Sequence, residues 1–142
     1  MVLGIGVDIV SITRVRDAVE SSGRVFLDKV FTPWEQQRAA AHPDTMAYYA
    51  ITFAAKEAIF KCFGIGWETG VKLTEIEIRD GEHGEPLPEL SGVFARLARE
   101  RDVAKVLLSL SYETEYAIAS AALAAETIPG EKRKGTEDGY PE

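Results

Sequence analysis

A single long helical pattern constrains the fold of this chain more than any other feature of its sequence. Asp44 is placed to cap the start of the helix, and Gly64 is placed to end it in the left-handed conformation. The side chains that recur at helical spacing between these ends are mostly small: Ala47, Ala50, Ile51, Ala54 and Ala58. This stripe predicts a central helix, reaching Phe63, with one face suited to close packing.

Apolar segments near both ends of the chain predict strands. Residues 2–10 predict a buried strand that only two glycines and Asp8 interrupt. Three further segments predict strands: residues 76–78, 105–112 and 116–124. Because helices and strands do not alternate strictly, the predicted class is α+β. We expect a single small domain with the long helix packed on a mostly antiparallel sheet.

Shorter helices are predicted between the strands. Ser11 can cap the first of them, and a further helical turn is predicted over residues 25–30. Thr32 and Glu35 have the spacing of a capping box, which predicts that a second short helix begins at the proline between them. Ser91 can cap a third.

Length, composition and charge restrict the function classes. The 142 residues fit one domain, predicted over residues 1–126, and the polar residues 127–142 predict a disordered tail. A net charge of -7 argues against binding to nucleic acid or an anionic membrane. With neither a bilayer-spanning stretch nor a targeting segment, we expect a cytoplasmic protein. One cysteine and two histidines leave few zinc ligands, so any metal is expected to be a hard cation on carboxylates.

Two groups of charged residues are candidates for a metal-binding or catalytic site. Asp8 interrupts a core strand, and buried carboxylates are normally paired or bound to metal. An aspartate that caps the following turn is an equally good interpretation. Glu57 and Lys61 lie one helical turn apart and share a face. A solvated ion pair is the simpler interpretation, but Phe53 and Phe60 border the two residues and indicate a partly enclosed face.

Two weaker signals lie elsewhere. Gly64-Ile65-Gly66 follows the long helix, where a helix-ending turn is favoured over a phosphate-binding loop. Arg14, Arg16 and Arg24 concentrate positive charge on and after the first helix of an acidic protein. They indicate a basic face for an acidic partner, with ordinary surface charge as the alternative.

Taken together, these segments resemble the holo-acyl-carrier-protein synthases. Residues 4–10, followed by Arg14, resemble the opening motif of that family. Residues 53–58, followed by Lys61 and residues 64–66, resemble its second motif. The remaining matches are Gly23-Arg24, Phe31-Thr32 with Glu35, Ser109-Leu110-Ser111 and residues 116–119. The resemblance covers almost the whole predicted domain.

The resemblance implies an enzyme that uses Mg²⁺. Members of the family transfer the 4′-phosphopantetheine arm of coenzyme A to a serine of an apo acyl carrier protein and release adenosine 3′,5′-bisphosphate. This reaction supports fatty-acid or related acyl-carrier biosynthesis. By the family motifs, Asp8 and Glu57 are expected to hold Mg²⁺, Glu57 to act as base and Lys61 to neutralise phosphate charge. The residues expected to contact coenzyme A are Asp8, Glu57, Lys61, Gly64, Ser111 and Tyr112.

The resemblance also implies two kinds of protein contact. The family forms homotrimers with each active site at a subunit boundary, and it docks acidic carriers on its first helix. Arg14 and Arg24 are therefore expected to contact the carrier protein. The alternative is a carrier-binding module with reduced or lost catalysis, which rests on two departures from the family pattern.

These departures are Thr52 and Tyr112. The family usually has arginine at the first position and histidine at the second, and both positions are associated with the 3′-phosphate of coenzyme A. The sequence therefore predicts weaker binding of that phosphate. Another basic side chain could take over its binding, either Lys56 or one from a neighbouring subunit.

Overall fold

The computed structural model describes residues 1–126, so the tail predicted over residues 127–142 lies outside the described part of the chain. The described residues form five strands: β1 (Val2–Ser11), β2 (Ile76–Asp80), β3 (Pro86–Leu90), β4 (Val103–Tyr112) and β5 (Tyr116–Ala125). The same part of the chain forms four α-helices: α1 (Ile12–Val30), α2 (Pro33–Ala41), α3 (Thr45–Phe63) and α4 (Gly92–Glu100). Two short 3₁₀ turns follow α3: Trp67–Thr69 and Leu73–Glu75. Within residues 1–126, no helix is both long enough and apolar enough to span a membrane.

Two antiparallel sheets share the core with α3. The larger has the strand order β1-β5-β4, and the smaller is the hairpin of β2 and β3. Helix α3 packs across the larger sheet and buries the small-residue stripe, in which Ala47, Ala50, Ala54 and Ala58 are fully covered. The predicted α+β class, with the long helix on a mostly antiparallel sheet, is confirmed.

Glycines in β1 allow α3 to approach the sheet closely. A Cβ atom on Gly4 would overlap the backbone carbonyl oxygen of Cys62, and one on Gly6 would overlap that of Ala58. Side chains alternate between the two faces of a strand, so Asp8 lies on the same face as these glycines, one step further along. The close approach therefore brings the Asp8 carboxylate against the second half of α3.

The helix ends follow the predicted capping chemistry, with one exception. Thr32 and Glu35 form the capping box, Asp44 accepts from the backbone of α3, and Gly64 ends that helix with a φ of 61°. Ser91 occupies the predicted N-cap position of α4, but its side chain accepts no capping hydrogen bond. The carboxylate of Glu75 accepts instead from the first free N–H groups of α4, because it reaches them from the preceding 3₁₀ turn.

Strand β3 was not predicted from the sequence. Its residues are Pro-Leu-Pro-Glu-Leu, and proline cannot donate to a strand ladder. Both prolines are tolerated here because β3 pairs with β2 alone and forms an edge.

A buried ion pair joins the layers of the fold. Lys56 on α3 and Glu35 on α2 are both 0% exposed, and the ammonium contacts the carboxylate directly. The same ammonium donates to the carbonyl oxygens of Val30 and Leu73, at 2.6 and 3.2 Å. Burial lowers the pKa of Lys56, and the charge of Glu35 opposes that shift.

The Glu35 carboxylate also satisfies backbone donors. It accepts from Thr32 N and from Ile78 N, each at 2.9 Å. The ion pair thus connects α3, α2, the end of α1, the second 3₁₀ turn and β2.

Replacing Lys56 with methionine should destabilise the fold strongly. The side-chain volume is roughly kept, but Glu35 is left as a buried charge without its cation, a change that costs about 3–5 kcal/mol. Urea unfolding of Lys56→Met measures the loss. Lys105→Met, at an exposed position, is the matched control and should change stability by less than about 0.5 kcal/mol. Equal effects of the two substitutions would contradict a stabilising role for the pair.

Candidate active site

A cavity of about 330 Å³ lies where β1 meets α1 and α3. Asp8 from β1 and Glu57 from α3 both line it. Arg14 from α1 and the aromatic rings of Phe26 and Phe53 form other parts of its wall. The two residues predicted to hold a metal therefore line one cavity, one from β1 and the other from α3.

Lys61 lies beside this pair but contacts β1 rather than Glu57. Its ammonium donates to Asp8 Oδ1 at 2.9 Å and to the backbone oxygen of Val7 at 3.0 Å. The simpler interpretation from the sequence, an ion pair with Glu57 one turn away, is not what the structure shows among residues 1–126. Lys61 instead holds one oxygen of the Asp8 carboxylate in place. Its side chain remains 51% exposed, so it can also reach a ligand.

The electrostatics of the cavity suit a bound cation. Burial raises the pKa of Glu57, and the negative charge of Asp8 raises it further, while Lys61 opposes both effects. A divalent cation between the carboxylates would relieve this repulsion. No cluster of three or more Asp, Glu, His or Cys is present in the described residues, so the protein would supply at most this pair. That number suits Mg²⁺, which keeps waters and phosphate oxygens as its other ligands.

An apolar groove of about 630 Å³ continues from this cavity. Glu57, Phe26 and Phe53 line both spaces. The far wall of the groove comes from residues that were not singled out in the sequence: Trp67, Val71 and Leu73. Trp67 is 54% exposed and stacks on Phe60 with ring centroids 4.5 Å apart. Its position just after the Gly-x-Gly turn was the available signal.

The remaining residues predicted to bind coenzyme A lie elsewhere. Tyr112 and Thr52 line a third cavity, which has no lining residue in common with the first. Ser111 is exposed beside Tyr112, and Gly64 forms the left-handed end of α3. A single copy of the chain therefore does not assemble all of the predicted cofactor contacts in one space.

The two arginines predicted to dock a carrier protein also differ in position. Arg14 lines the cavity of Asp8 and Glu57. Arg24 lies past the break in α1 at Gly23, where it donates to Gln36 at 3.1 Å and lines a separate depression. Only the first of the two is next to the carboxylate pair.

Comparison of the sequence and the fold with known proteins identifies the family of this chain. The model of the 4′-phosphopantetheinyl transferase superfamily matches residues 4–121. The holo-[acyl-carrier-protein] synthase of Desulforudis audaxviator is 45% identical over 85% of this chain and 92% of its own length. The crystal structure of the synthase from Neisseria meningitidis has a TM-score of 0.81 and 30% identity, covering 87% of this chain and 99% of that one.

A synthase from Bacillus anthracis, solved in complex with CoA (3′,5′-ADP), has a TM-score of 0.73 and 28% identity. It covers 89% of this chain and 99% of that one. The family match and the fold thus define an α+β enzyme domain of the phosphopantetheinyl transferase class. Within that class, this chain belongs to the holo-[acyl-carrier-protein] synthases, as its sequence predicted.

Glu57→Gln should stabilise the metal-free protein near neutral pH. Folding raises the pKa of Glu57 above its ordinary value of 4.5, so the native state favours the protonated carboxyl. The stability associated with that form is present below pH 4.5 and is lost as the pH rises through the raised pKa. Glutamine, which never ionises, avoids the loss.

Thermal unfolding in a chelating buffer checks this expectation. The melting temperature of Glu57→Gln should exceed that of the unmodified protein at pH 7, and the difference should disappear below about pH 4. Glu20→Gln, at an exposed position on α1, is the matched control and should show no such dependence. A gain of the same size at both pH values would show that charge is not its cause.

Proposed function

We propose that Asp8, Glu57 and Lys61 form the active site of this enzyme. The chain is a phosphopantetheinyl transferase that moves the 4′-phosphopantetheine arm of coenzyme A to a serine of an apo acyl carrier protein. The observation that carries the assignment of the site is the approach of two carboxylates and one ammonium at the cavity between β1 and α3. Phosphoryl transfer depends mainly on positioning and on charge neutralisation, which these groups can provide.

Asp8 and Glu57 are the residues that would hold Mg²⁺. When bound, the ion would neutralise charge on the pyrophosphate of coenzyme A and polarise its oxygens. The mutual repulsion of the two carboxylates and the shortage of nitrogen and sulfur ligands support a hard cation here.

Glu57 and Lys61 have complementary roles in the transfer. The serine hydroxyl attacks the phosphorus that carries the pantetheine arm, and the bond from that phosphorus to adenosine 3′,5′-bisphosphate breaks. Glu57 is placed to take the serine proton. Lys61 is placed to stabilise negative charge on the leaving phosphate.

The apolar groove beside Glu57 suits the pantetheine arm. It begins at the residue that faces the reacting phosphate and continues past Phe53 to Trp67. A volume of about 630 Å³ lies within the range of ordinary ligand pockets.

The homotrimer proposed for this family has support in the larger sheet. Its outer face carries a row of apolar side chains on β1, in which Ile5 is 76% and Ile9 is 63% exposed. Leu107 and Ile118 extend the row across β4 and β5. Such a face is typical of a surface that another subunit covers. Because one copy keeps the predicted cofactor contacts in separate cavities, the proposal includes a site at a subunit boundary, with the Thr52 and Tyr112 cavity supplied by a second copy.

Arg14 is the better supported of the two proposed carrier contacts. It is exposed on α1 and lies beside the carboxylate pair, where the serine of a carrier must arrive. Arg24, which lies outside the cavity of the carboxylate pair, is proposed to contact the carrier protein further from the reacting serine.

By activating a carrier, the enzyme would support fatty-acid or related acyl-carrier biosynthesis. The alternative of a carrier-binding module without catalysis is less favoured, since the carboxylate pair and Lys61 are all in place.

Transfer activity tests the site directly. Incubation with apo carrier protein, coenzyme A and Mg²⁺ should add one phosphopantetheine arm to the carrier, measured by mass spectrometry. Asp8→Ala and Glu57→Ala should each slow transfer by roughly 10²–10⁴-fold, and chelation of Mg²⁺ should abolish it. Glu100→Ala, an exposed change on α4, should leave the rate unchanged. Full activity of Asp8→Ala or of the chelated enzyme would remove the metal assignment.

Carrier docking is tested by charge reversal on α1. Arg14→Glu should raise the KM for the acidic carrier roughly tenfold, because a repulsive charge replaces an attractive one. The KM for coenzyme A should stay the same, and the defect should shrink as salt is added. Arg99→Glu, on the exposed face of α4, is the matched control. An unchanged carrier KM in Arg14→Glu would exclude this face as the docking site.

A further inference from the structure

The third cavity is lined by two basic side chains that were not predicted from the sequence to be site residues. It has a volume of about 520 Å³ and lies between the end of α2, helix α3 and strand β4. Thr52 and Tyr112, the two departures from the family pattern, both line it. Arg38 and His42 line the same cavity.

Lys56 cannot replace the missing arginine. Although it follows Thr52 by one helical turn, its ammonium is 0% exposed and is fully used by Glu35 and two backbone carbonyls. A phosphate could reach it only by opening the core.

Arg38 is held in a position from which it can bind an anion. Its Nη2 atom pairs with Asp80 Oδ2 at 2.7 Å, which fixes one side of the guanidinium. Within residues 1–126 this is the one polar contact of the guanidinium, which also lies 6.0 Å from the ring centroid of Trp34. A guanidinium has five N–H donors in a planar fork, so one carboxylate does not exhaust it. About half of the side chain is exposed, at the wall of the cavity.

His42 is a second donor when its Nε2 atom carries a proton. The Nδ1 atom of the ring lies 3.0 Å from the backbone nitrogen of Asp44 and 2.8 Å from the carbonyl oxygen of the same residue. Where the N–H of Asp44 donates to Nδ1, the ring proton is on Nε2, and the protonated ring carries a proton on both nitrogens. A bound anion would favour these two forms over the neutral form protonated on Nδ1 alone.

Tyr48 also lines this cavity. Its hydroxyl is covered, and burial raises its pKa, so it stays protonated. The cavity thus brings together the guanidinium of Arg38, the imidazole of His42 and the carboxylate of Asp80.

We infer that Arg38, assisted by His42, binds the 3′-phosphate of coenzyme A in this chain. The two residues supply the positive charge that Thr52 and Tyr112 do not. The inference rests on the proposed function, which makes coenzyme A the ligand. It predicts that this enzyme distinguishes coenzyme A from its 3′-dephospho form, despite both departures. Arg38 is then a specificity-determining residue that lies outside both family motifs.

Calorimetric binding of two nucleotides tests the inference. Adenosine 3′,5′-bisphosphate should bind the unmodified protein at least about tenfold more tightly than adenosine 5′-monophosphate. Arg38→Gln should remove most of that ratio by weakening the bisphosphate alone, and Arg38→Lys should keep part of it. His42→Asn should reduce the ratio by a smaller factor. Arg96→Gln, which also breaks an exposed ion pair, is the matched control and should leave the ratio unchanged.

Measurement of KM for two substrates distinguishes failure of this inference from failure of the proposed function. In Arg38→Gln, the KM should rise for coenzyme A and stay constant for 3′-dephospho-coenzyme A. Equal losses with both substrates, or no loss with either, would overturn the inference, as would equal affinity of the unmodified protein for the two nucleotides. Absence of transfer from both substrates would reject the proposed function, while the nucleotide ratio would still report on Arg38.

Discussion

The buried pair of Lys56 and Glu35 determines how the rest of this structure is arranged. Breaking it would leave a charge in the core, so α3 cannot rotate about its axis without a large cost. Successive helical residues differ by about 100° in direction. With Lys56 fixed toward the core, Glu57 must point to the cavity beside β1, and Lys61, one turn later, points to the same side. One interaction in the core thereby orients both of the reactive groups on α3.

The second requirement is the distance between α3 and the sheet, which the β1 glycines set. A side chain at Gly4 or Gly6 would push α3 away and separate Asp8 from Glu57. The opening motif therefore sets the distance between α3 and the sheet, and the helix motif sets the rotation of α3. Neither carboxylate reaches its partner unless the rotation of the helix and its close approach are both correct.

Much of this could be predicted from the sequence, because the signals were local. Capping residues such as Thr32 and Asp44 marked helix ends, and the small stripe marked the packed face of α3. What could not be predicted depended on distant contacts. Glu35 had the spacing of a capping residue, and nothing local showed that its other oxygen would accept from Ile78. Arg38 likewise looked like an ordinary charge at the end of α2, since only the tertiary fold brings it beside Thr52.

The packing of β1 against α3 also has a chemical consequence for the chain's single cysteine. Cys62 lies under Gly4, almost fully buried, and burial raises the pKa of its thiol to about 11. At neutral pH only about one molecule in ten thousand would carry the thiolate, the form that attacks disulfides. The enzyme handles coenzyme A and releases a carrier that ends in a free thiol. Because its own sulfur is covered and stays a thiol, it does not exchange with the disulfide forms that such molecules give on oxidation.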